Sequence, residues 1–105
     1  MAEIMLSEDD AKRAIPVQHG DRIVVTLKEF PSTGLSWFFE VSTPAAVAFQ
    51  EDSYERSGPL IPGAGGVRRF YFLAVEPGDA TLRFDRAYGS HKKIEGTLTF
   101  RIVVS

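Results

Sequence analysis

The sequence predicts an all-β fold, an antiparallel β-sandwich of about seven strands in a single domain spanning residues 1–105. Apolar and polar side chains alternate along several short segments, and this period of two is typical of half-buried strands. Clusters of Gly, Pro, Asp and Ser separate the segments and are typical of turns. Val, Ile, Phe and Thr, which favour strands, are frequent within them. A barrel with a similar number of strands is the competing architecture.

The first fourteen residues give the weakest pattern. Ser7 could cap a short helix over residues 7–14, with Asp10 three residues further on. A short edge strand or a frayed tail fits the same residues. Residues 1–14 are therefore treated as a segment that is loosely attached to the domain.

Six strands are predicted beyond this segment. In residues 22–28, Ile23, Val25 and Leu27 share one face, as on a half-buried strand. Residues 67–75 are apolar on both faces along much of their length, which indicates a central strand covered on both sides. The predicted strands are 22–28, 37–41, 46–50, 67–75, 80–85 and 97–104.

Composition and charge exclude several classes of protein. The net charge is −2 and the basic residues are dispersed, so nothing indicates nucleic-acid binding. The absence of cysteine excludes disulfides and cysteine-ligated metals, and no apolar run approaches the ~20 residues of a membrane span. We expect a monomer that needs no cofactor and binds neither nucleic acid nor membrane. The N-terminus lacks signal-peptide features, so the expected location is the cytoplasm; a removed leader would instead indicate the periplasm or secretion.

The connections between strands fall into two unequal sets. In a sandwich, alternate connections leave the same end. Those at 29–36, 51–66 and 86–96 would share one end, and those at 42–45 and 76–79 the other. The first set is longer and holds the less ordinary residues. Because rigid scaffolds often carry binding residues on one cluster of loops, the first set is the candidate binding surface.

The first of these connections precedes the only tryptophan of the chain. Pro31 fixes its own φ, and Gly34 can adopt a positive φ or allow another backbone to approach. Trp37 would bury on the order of 200 Å² and anchor the end of the loop. Two interpretations remain: a well-formed turn before a core strand, or a preorganised loop presented to a partner.

The second and third connections are each open to two interpretations. Gly63, Gly65 and Gly66 lie close together without the Lys-Ser/Thr of a nucleotide-binding loop, which argues against phosphate binding. They suit either a flexible linker or a backbone surface that lies against a partner. Arg86 and Tyr88 are residue types that dominate interface hot spots, although a surface Arg beside a half-buried Tyr explains them equally.

Candidate catalytic residues are few. His19 and His91 are the only histidines, and the neighbouring Lys92 and Lys93 indicate that His91 belongs to a solvated basic turn. No nucleophile-elbow motif occurs, and the acidic residues show no paired arrangement. We therefore expect no enzyme activity and no metal site.

Three short segments on the longer connections carry a family resemblance. They read FPSTGLSW at 30–37, GAGG at 63–66 and RAY at 86–88. In this order they resemble the three motifs of the chagasin family of cysteine peptidase inhibitors: Asn-Pro-Thr-Thr-Gly-aromatic-x-Trp, Gly-x-Gly-Gly, and Arg-Pro-Trp or Arg-Pro-Phe. The similarity covers roughly residues 19–104.

The resemblance implies an immunoglobulin-like sandwich that inhibits papain-like cysteine peptidases reversibly and without a covalent bond. Three loops, at 29–36, 58–66 and 86–91, would occlude the active-site cleft. The first would meet the catalytic centre and the other two would grip the cleft on either side. The residues assigned in this way to peptidase binding are Pro31, Ser32, Thr33, Gly34, Leu35, Trp37, Gly63, Gly65, Gly66, Arg86 and Tyr88.

The chain also departs from the family pattern, most clearly at four positions. Phe30 stands in place of Asn, Leu35 in place of an aromatic residue, Ala87 in place of Pro, and Tyr88 where Trp is usual. An alternative from another functional class is an immunoglobulin-like binding module that uses the same loops on a non-peptidase partner. A purely structural domain is a further alternative.

Overall fold

Two four-stranded β-sheets pack face to face in the computed structural model, which describes residues 2–30, 34–56, 65–89 and 93–105. The predicted all-β sandwich is confirmed, and the barrel is excluded because each sheet keeps two edge strands. The strands are β1 Glu3–Leu6, β2 Ala14–Val17, β3 Arg22–Glu29, β4 Leu35–Val41, β5 Val47–Arg56, β6 Gly66–Ala74, β7 Gly78–Tyr88 and β8 Lys93–Val104.

The chain alternates between the two sheets. The first sheet has the strand order β1-β3-β6-β5 and the second has the order β2-β8-β7-β4. β1 is parallel to β3 and β2 is parallel to β8, whereas the other neighbours are antiparallel. The chain crosses between sheets after β1, β2, β3, β4 and β6, and it forms hairpins from β5 to β6 and from β7 to β8.

The core consists of the inward-facing side chains of both sheets. Phe72 of the first sheet and Phe84 and Phe100 of the second are fully buried. The ring of Phe39 on β4 lies 5.6 Å from that of Phe72 and 6.2 Å from that of Phe84, measured between centroids. Burying one phenylalanine side chain stabilises a fold by about 1.5–3 kcal/mol, so this aromatic cluster holds the sheets together.

The structure corrects the expectation of a helix over residues 7–14. Only one 3₁₀ turn forms, at Glu8–Asp10, where the Asp10 carboxylate accepts a hydrogen bond from the Ser7 N–H at 2.9 Å. The residues before the turn pair with β3 as β1 and bury Leu6, and those after it pair with β8 as β2. The few residues left between two edge strands are too short for a stable helix.

Three strands extend further than the sequence pattern predicts, and one of them is β8, which begins at Lys93 instead of residue 97. β5 continues to Arg56 instead of ending at residue 50, and β7 continues to Tyr88 instead of ending at residue 85. A β-bulge between Phe49 and Glu51 shifts the register of β5 against β6. The bulge interrupts the alternation of apolar residues, which hides the second half of β5 from a period-two analysis.

β6 is a central strand as predicted, but only one of its faces is fully covered. Phe70 and Phe72 are buried in the core, whereas Tyr71 and Leu73 on the opposite face are half-buried. The guanidinium carbon of Arg22 lies 4.3 Å from the centroid of the Tyr71 ring. Long side chains of neighbouring strands therefore shield the outer face in place of a further layer.

Candidate binding surface

The three connections that sequence assigns to the candidate binding surface leave the same end of the sandwich. In the first sheet, Gly66 at the start of β6 pairs with Glu29 at the end of β3 and with Arg56 at the end of β5. In the second sheet, Tyr88 at the end of β7 pairs with both Leu35 and Lys93. We call this end of the molecule the loop end, and define it by the two rows Glu29–Gly66–Arg56 and Leu35–Tyr88–Lys93.

Trp37 joins the two sheets at the loop end. It is buried on β4, and its indole Nε1–H donates a hydrogen bond to the backbone carbonyl oxygen of Lys28 on β3 at 2.8 Å. The guanidinium carbon of Arg86 lies 5.9 Å from the centroid of the Trp37 ring. Both the entry and the exit of the first connection are therefore fixed to the scaffold, because Lys28 precedes it and Trp37 follows it.

Phe30 packs against Gly65 and thereby links the first connection to the second. Gly65 has a φ of +71°, in the left-handed region that favours glycine. A Cβ on Gly65 would overlap the ring of Phe30 and would lie 2.9 Å from the carbonyl oxygen of Glu29. Only glycine therefore allows this approach of the two segments.

Gly66 is also required by packing within the chain. A Cβ on this residue would overlap the carbonyl oxygen of Glu55 and would lie 2.7 Å from the hydroxyl oxygen of Tyr54. Contacts inside the protein are thus sufficient to explain both Gly65 and Gly66. Their assignment to a peptidase contact stays a prediction.

An ion pair between β3 and β6 supports the base of these two connections. Glu29 is 4% exposed and accepts hydrogen bonds from Arg68 Nε at 2.6 Å and Arg68 Nη2 at 3.1 Å. Arg68 Nη1 also donates to Asp52 on β5 at 2.7 Å. The hydrogen bond to Glu29 is the largest cause that raises the pKa of Arg68, and it outweighs the effect of desolvation. One guanidinium therefore connects three strands.

Large apolar side chains are exposed at the loop end. Phe30 is 37% exposed, Tyr88 is 40% exposed and Ile94 is 47% exposed. A Cβ on Gly34, which has a φ of +82°, would lie 3.7 Å from Cδ1 of Tyr88. The end of the first connection is therefore close to the ring of Tyr88, the last residue of β7.

The third predicted loop is shorter than expected. Arg86 and Tyr88 belong to β7, where they face Trp37 and Leu35 across the ladder, and not to a loop. Arg86 Nε is buried and has no hydrogen-bond partner among the described residues. The prediction that both residues lie at the candidate surface is compatible with this placement, because the strand itself reaches the loop end.

The described residues bring together part of the predicted site. Gly34, Leu35, Trp37, Gly65, Gly66, Arg86 and Tyr88 all lie at or next to the loop end. Pro31, Ser32, Thr33 and Gly63 lie outside the described residues, as does His91. The roles of these residues stay predictions.

Three further residues at this end were not predicted from the sequence. Arg56 and Lys93 close the two outermost cross-strand rows, and Ile94 pairs with Ala87 in the adjacent row. Arg56 follows a polar stretch that period-two analysis does not identify as a strand. The one available signal for Ile94 is a large apolar side chain within the polar segment at 90–97.

The described ranges offer no metal centre. They contain no group of three or more His, Cys, Asp or Glu side chains placed to hold an ion. His19 lies at the opposite end, where its Nδ1 is 3.2 Å from the carbonyl oxygen of Ser105. None of the helices in these ranges is long and apolar enough to cross a membrane.

Solved structures with the same fold include known inhibitors. The cysteine protease inhibitor EhICP2 from Entamoeba histolytica superposes with a TM-score of 0.87 at 20% identity, over 99% of this chain and 96% of that one. Amebosin superposes with a TM-score of 0.79 at 20% identity, over 98% of both chains. PbICP-C, solved in complex with falcipain-2, gives a TM-score of 0.66 at 12% identity, over 96% of this chain and 88% of that one.

The amino-acid sequence also matches a known protein family. No curated protein matches the chain significantly. The sequence model described as "Chagasin family peptidase inhibitor I42" matches residues 16–104, which include all three motifs and every strand from β3 onwards. Because this family consists of peptidase inhibitors, the expectation that the chain is not an enzyme is confirmed. The chain belongs to the chagasin family of peptidase inhibitors.

Proposed function

We propose that this protein inhibits papain-like cysteine peptidases reversibly and without a covalent bond, by filling the active-site cleft with its loop end. One observation carries the proposal. The match to an inhibitor family falls on a sandwich whose three motif-bearing segments converge at a single end. A cleft-filling inhibitor needs such a convergence, because a peptidase cleft is narrow and the contacts must enter it together.

The relatives support cysteine peptidases as the target class. One structural relative is described as a cysteine protease inhibitor, and another was solved in complex with falcipain-2. The sequence motifs point to the same class, since they resemble those of an inhibitor family directed at papain-like enzymes.

Each connection would have a separate role in the complex. Ser32, Thr33 and Gly34 would meet the catalytic cysteine and histidine of the peptidase and exclude its substrate. The second connection would lie along one flank of the cleft, and Arg86 with Tyr88 along the other. Occlusion of this kind requires no nucleophile or metal from the inhibitor, and it avoids cleavage because no peptide bond is held in attack geometry.

The anchored scaffold favours tight binding. A loop that is ordered before binding loses less conformational entropy in the complex. The hydrogen bond from Trp37 to Lys28 fixes both ends of the first connection, and the packing of Phe30 on Gly65 links it to the second. The exposed rings of Phe30 and Tyr88 would supply apolar contact area within an interface of about 1,600 Å².

The proposal is tested by titrating active papain and several related peptidases with the protein. Residual activity is followed with a small fluorogenic substrate. We expect a saturable and reversible loss of activity at sub-micromolar concentrations of the protein. Failure to inhibit any member of the panel, or formation of a complex in which the peptidase keeps its activity, would overturn the proposal and favour a binding module for another partner.

A further inference from the structure

The charges at the loop end are not balanced. The carboxylates near this end all lie next to a cation or accept a hydrogen bond from one. Their partners are Arg68 for both Glu29 at 2.6 Å and Asp52 at 2.7 Å, Arg69 for Glu55 at 2.9 Å, Arg83 for Asp85 at 3.1 Å and Lys93 for Glu95 at 3.7 Å. The negative charge at this end is therefore largely neutralised within the protein.

Several cations at the same end have no such partner. In the ranges that the structure describes, no carboxylate lies within ion-pair distance of Lys28, Arg56 or Arg86. Lys93 does have a carboxylate partner, Glu95 at 3.7 Å, but its side chain is 77% exposed at the same end. The loop end thus carries positive charge although the whole chain has a net charge of −2.

The cations flank the exposed apolar side chains. Arg56 closes the outermost row of the first sheet and Lys93 closes that of the second. Phe30 follows the first row directly, and Tyr88 belongs to the second. An apolar centre with a charged rim is the usual anatomy of a protein–protein interface. Here the rim is basic.

We infer that the preferred target is a papain-like peptidase whose cleft is flanked by carboxylates, and that these carboxylates steer the loop end into the cleft. The inference rests on the proposed function and adds the charge of the partner to it. Complementary charge raises association rate constants by a factor of 10–10³ and loses most of this effect at high ionic strength. Rim charges act mainly on association and little on dissociation.

The test measures association and dissociation rate constants with a peptidase that the protein inhibits. The measurements are made at ionic strengths of about 0.02 M and about 0.5 M, where the screening length differs several-fold. Arg56→Glu and Lys93→Glu remove positive charge from the rim. Arg101→Glu is the matched control, because Arg101 is also exposed on β8 and also pairs with one carboxylate, Asp79 at 3.2 Å, but lies away from the loop end.

We expect the association rate constant to fall about 10-fold between the two ionic strengths. Arg56→Glu and Lys93→Glu should each lower it several-fold at low ionic strength and leave the dissociation rate constant nearly unchanged, whereas Arg101→Glu should have little effect on either. Within a panel, a peptidase with carboxylates beside its cleft should associate faster than one with lysines or arginines there.

Two results would overturn the inference while the proposed function stands. One is inhibition with an association rate constant that does not depend on salt. The other is an Arg101→Glu variant that associates as slowly as Lys93→Glu, since net charge alone would then be responsible. Absence of inhibition across the panel is a different outcome, because it removes the proposed function itself.

Discussion

Phe30 illustrates how one substitution relative to a family motif can change what holds a loop in place. The family has Asn at this position, a side chain that braces turns by hydrogen bonds to the backbone. In this chain the Phe30 ring instead fills the space next to Gly65. Packing between two connections therefore holds Phe30, and Gly65 is required by packing within this protein.

We expect Gly65→Ala to lower the free energy of unfolding by about 2 kcal/mol. The added methyl group would overlap the Phe30 ring, and alanine is strained at a φ of +71°. Urea-induced unfolding measures the change. Gly96→Ala is the control, because a Cβ at Gly96 meets nothing within 4 Å. Equal stability of the two variants would show that the packing of Phe30 on Gly65 is not needed.

A double-mutant cycle isolates the contribution of the ring. Combining Gly65→Ala with Phe30→Ala should recover part of the lost stability, because the overlap with the ring disappears. The recovery should be incomplete, since the carbonyl oxygen of Glu29 would still lie 2.9 Å from the new methyl group. Strict additivity of the two changes would contradict direct contact between the residues.

At the scale of the strands, sequence patterns predict best where one face is buried and the other is solvated. β3 lies inside its sheet and keeps its alternation, so its predicted limits agree with the structure to within one residue, and β8 agrees at its buried C-terminal end. β5 is an edge strand with a bulge after Phe49, and most of its second half is exposed. A strand without a buried face shows no alternation of apolar and polar residues, so the sequence does not identify it.

The two N-terminal strands escape prediction for a related reason. β1 and β2 have four residues each and lie at sheet edges. β2 includes Pro16, which usually argues against a strand but is tolerated at an edge, where its missing N–H leaves no ladder bond unmade. Their pairing depends on β3 and β8, which are far away along the chain.

The ion pair at the base of the loops gives a prediction at this scale. Arg68→Leu should lower the free energy of unfolding by about 3 kcal/mol, because it leaves the buried carboxylate of Glu29 without a counter-charge. Arg69→Leu should cost less than about 1 kcal/mol, since Arg69 pairs with the well-exposed Glu55. Both variants replace an arginine of β6 by leucine, so the change in strand propensity is the same in the two variants.

Chemical unfolding of the two variants distinguishes the ion pairs. The midpoint should shift clearly for Arg68→Leu, with an unchanged dependence of the free energy on denaturant concentration. Equal shifts for Arg68→Leu and Arg69→Leu would contradict a structural role that is specific to the pair between Arg68 and Glu29.

Considered as a whole, the molecule also has a hydrogen-bonded network at the end opposite the loop end. At the end opposite the loops, Asp21 accepts hydrogen bonds from the N–H of Gln18 at 2.9 Å and the N–H of Ala2 at 3.0 Å. These bonds are the main causes that lower the pKa of Asp21 below its ordinary value of 3.8. The bond from Ala2 ties the start of the chain to the residue before β3, and the bond from Gln18 holds the adjacent turn.

A lowered pKa in the folded state makes stability depend on pH with a defined sign. The contribution of Asp21 is fully present above pH 3.8, its ordinary pKa, and is lost as the pH falls through the lower pKa of the folded state. Asp21→Asn should therefore be less stable than the unchanged protein at neutral pH, and the difference should shrink in acid. A stability difference between Asp21→Asn and the unchanged protein that does not depend on pH would contradict this account. Asp21→Asn should inhibit peptidases as the unchanged protein does at neutral pH.

The candidate site could be predicted from sequence only in part. Strand alternation places three connections at one end, and family motifs then identify residues such as Thr33 and Tyr88. Strand alternation and family motifs do not show that the Phe30 ring packs against Gly65. They also do not show that the carboxylate of Glu55, next to Arg56, forms an ion pair with Arg69. Such features depend on contacts between segments that are distant in sequence, and no local pattern records them.

The most direct test of the central claim compares two substitutions of threonine by arginine. Thr33→Arg places a long charged side chain where the first connection would enter the cleft, whereas Thr99→Arg places it on an exposed position of β8. Inhibition constants against papain are measured for both variants and for the unchanged protein. We predict a loss of about 100-fold or more for Thr33→Arg, because an unpaired charge would be buried at the interface, and a change within about 2-fold for Thr99→Arg. Inhibition by Thr33→Arg as tight as that by the unchanged protein would contradict the claim that this connection fills the cleft.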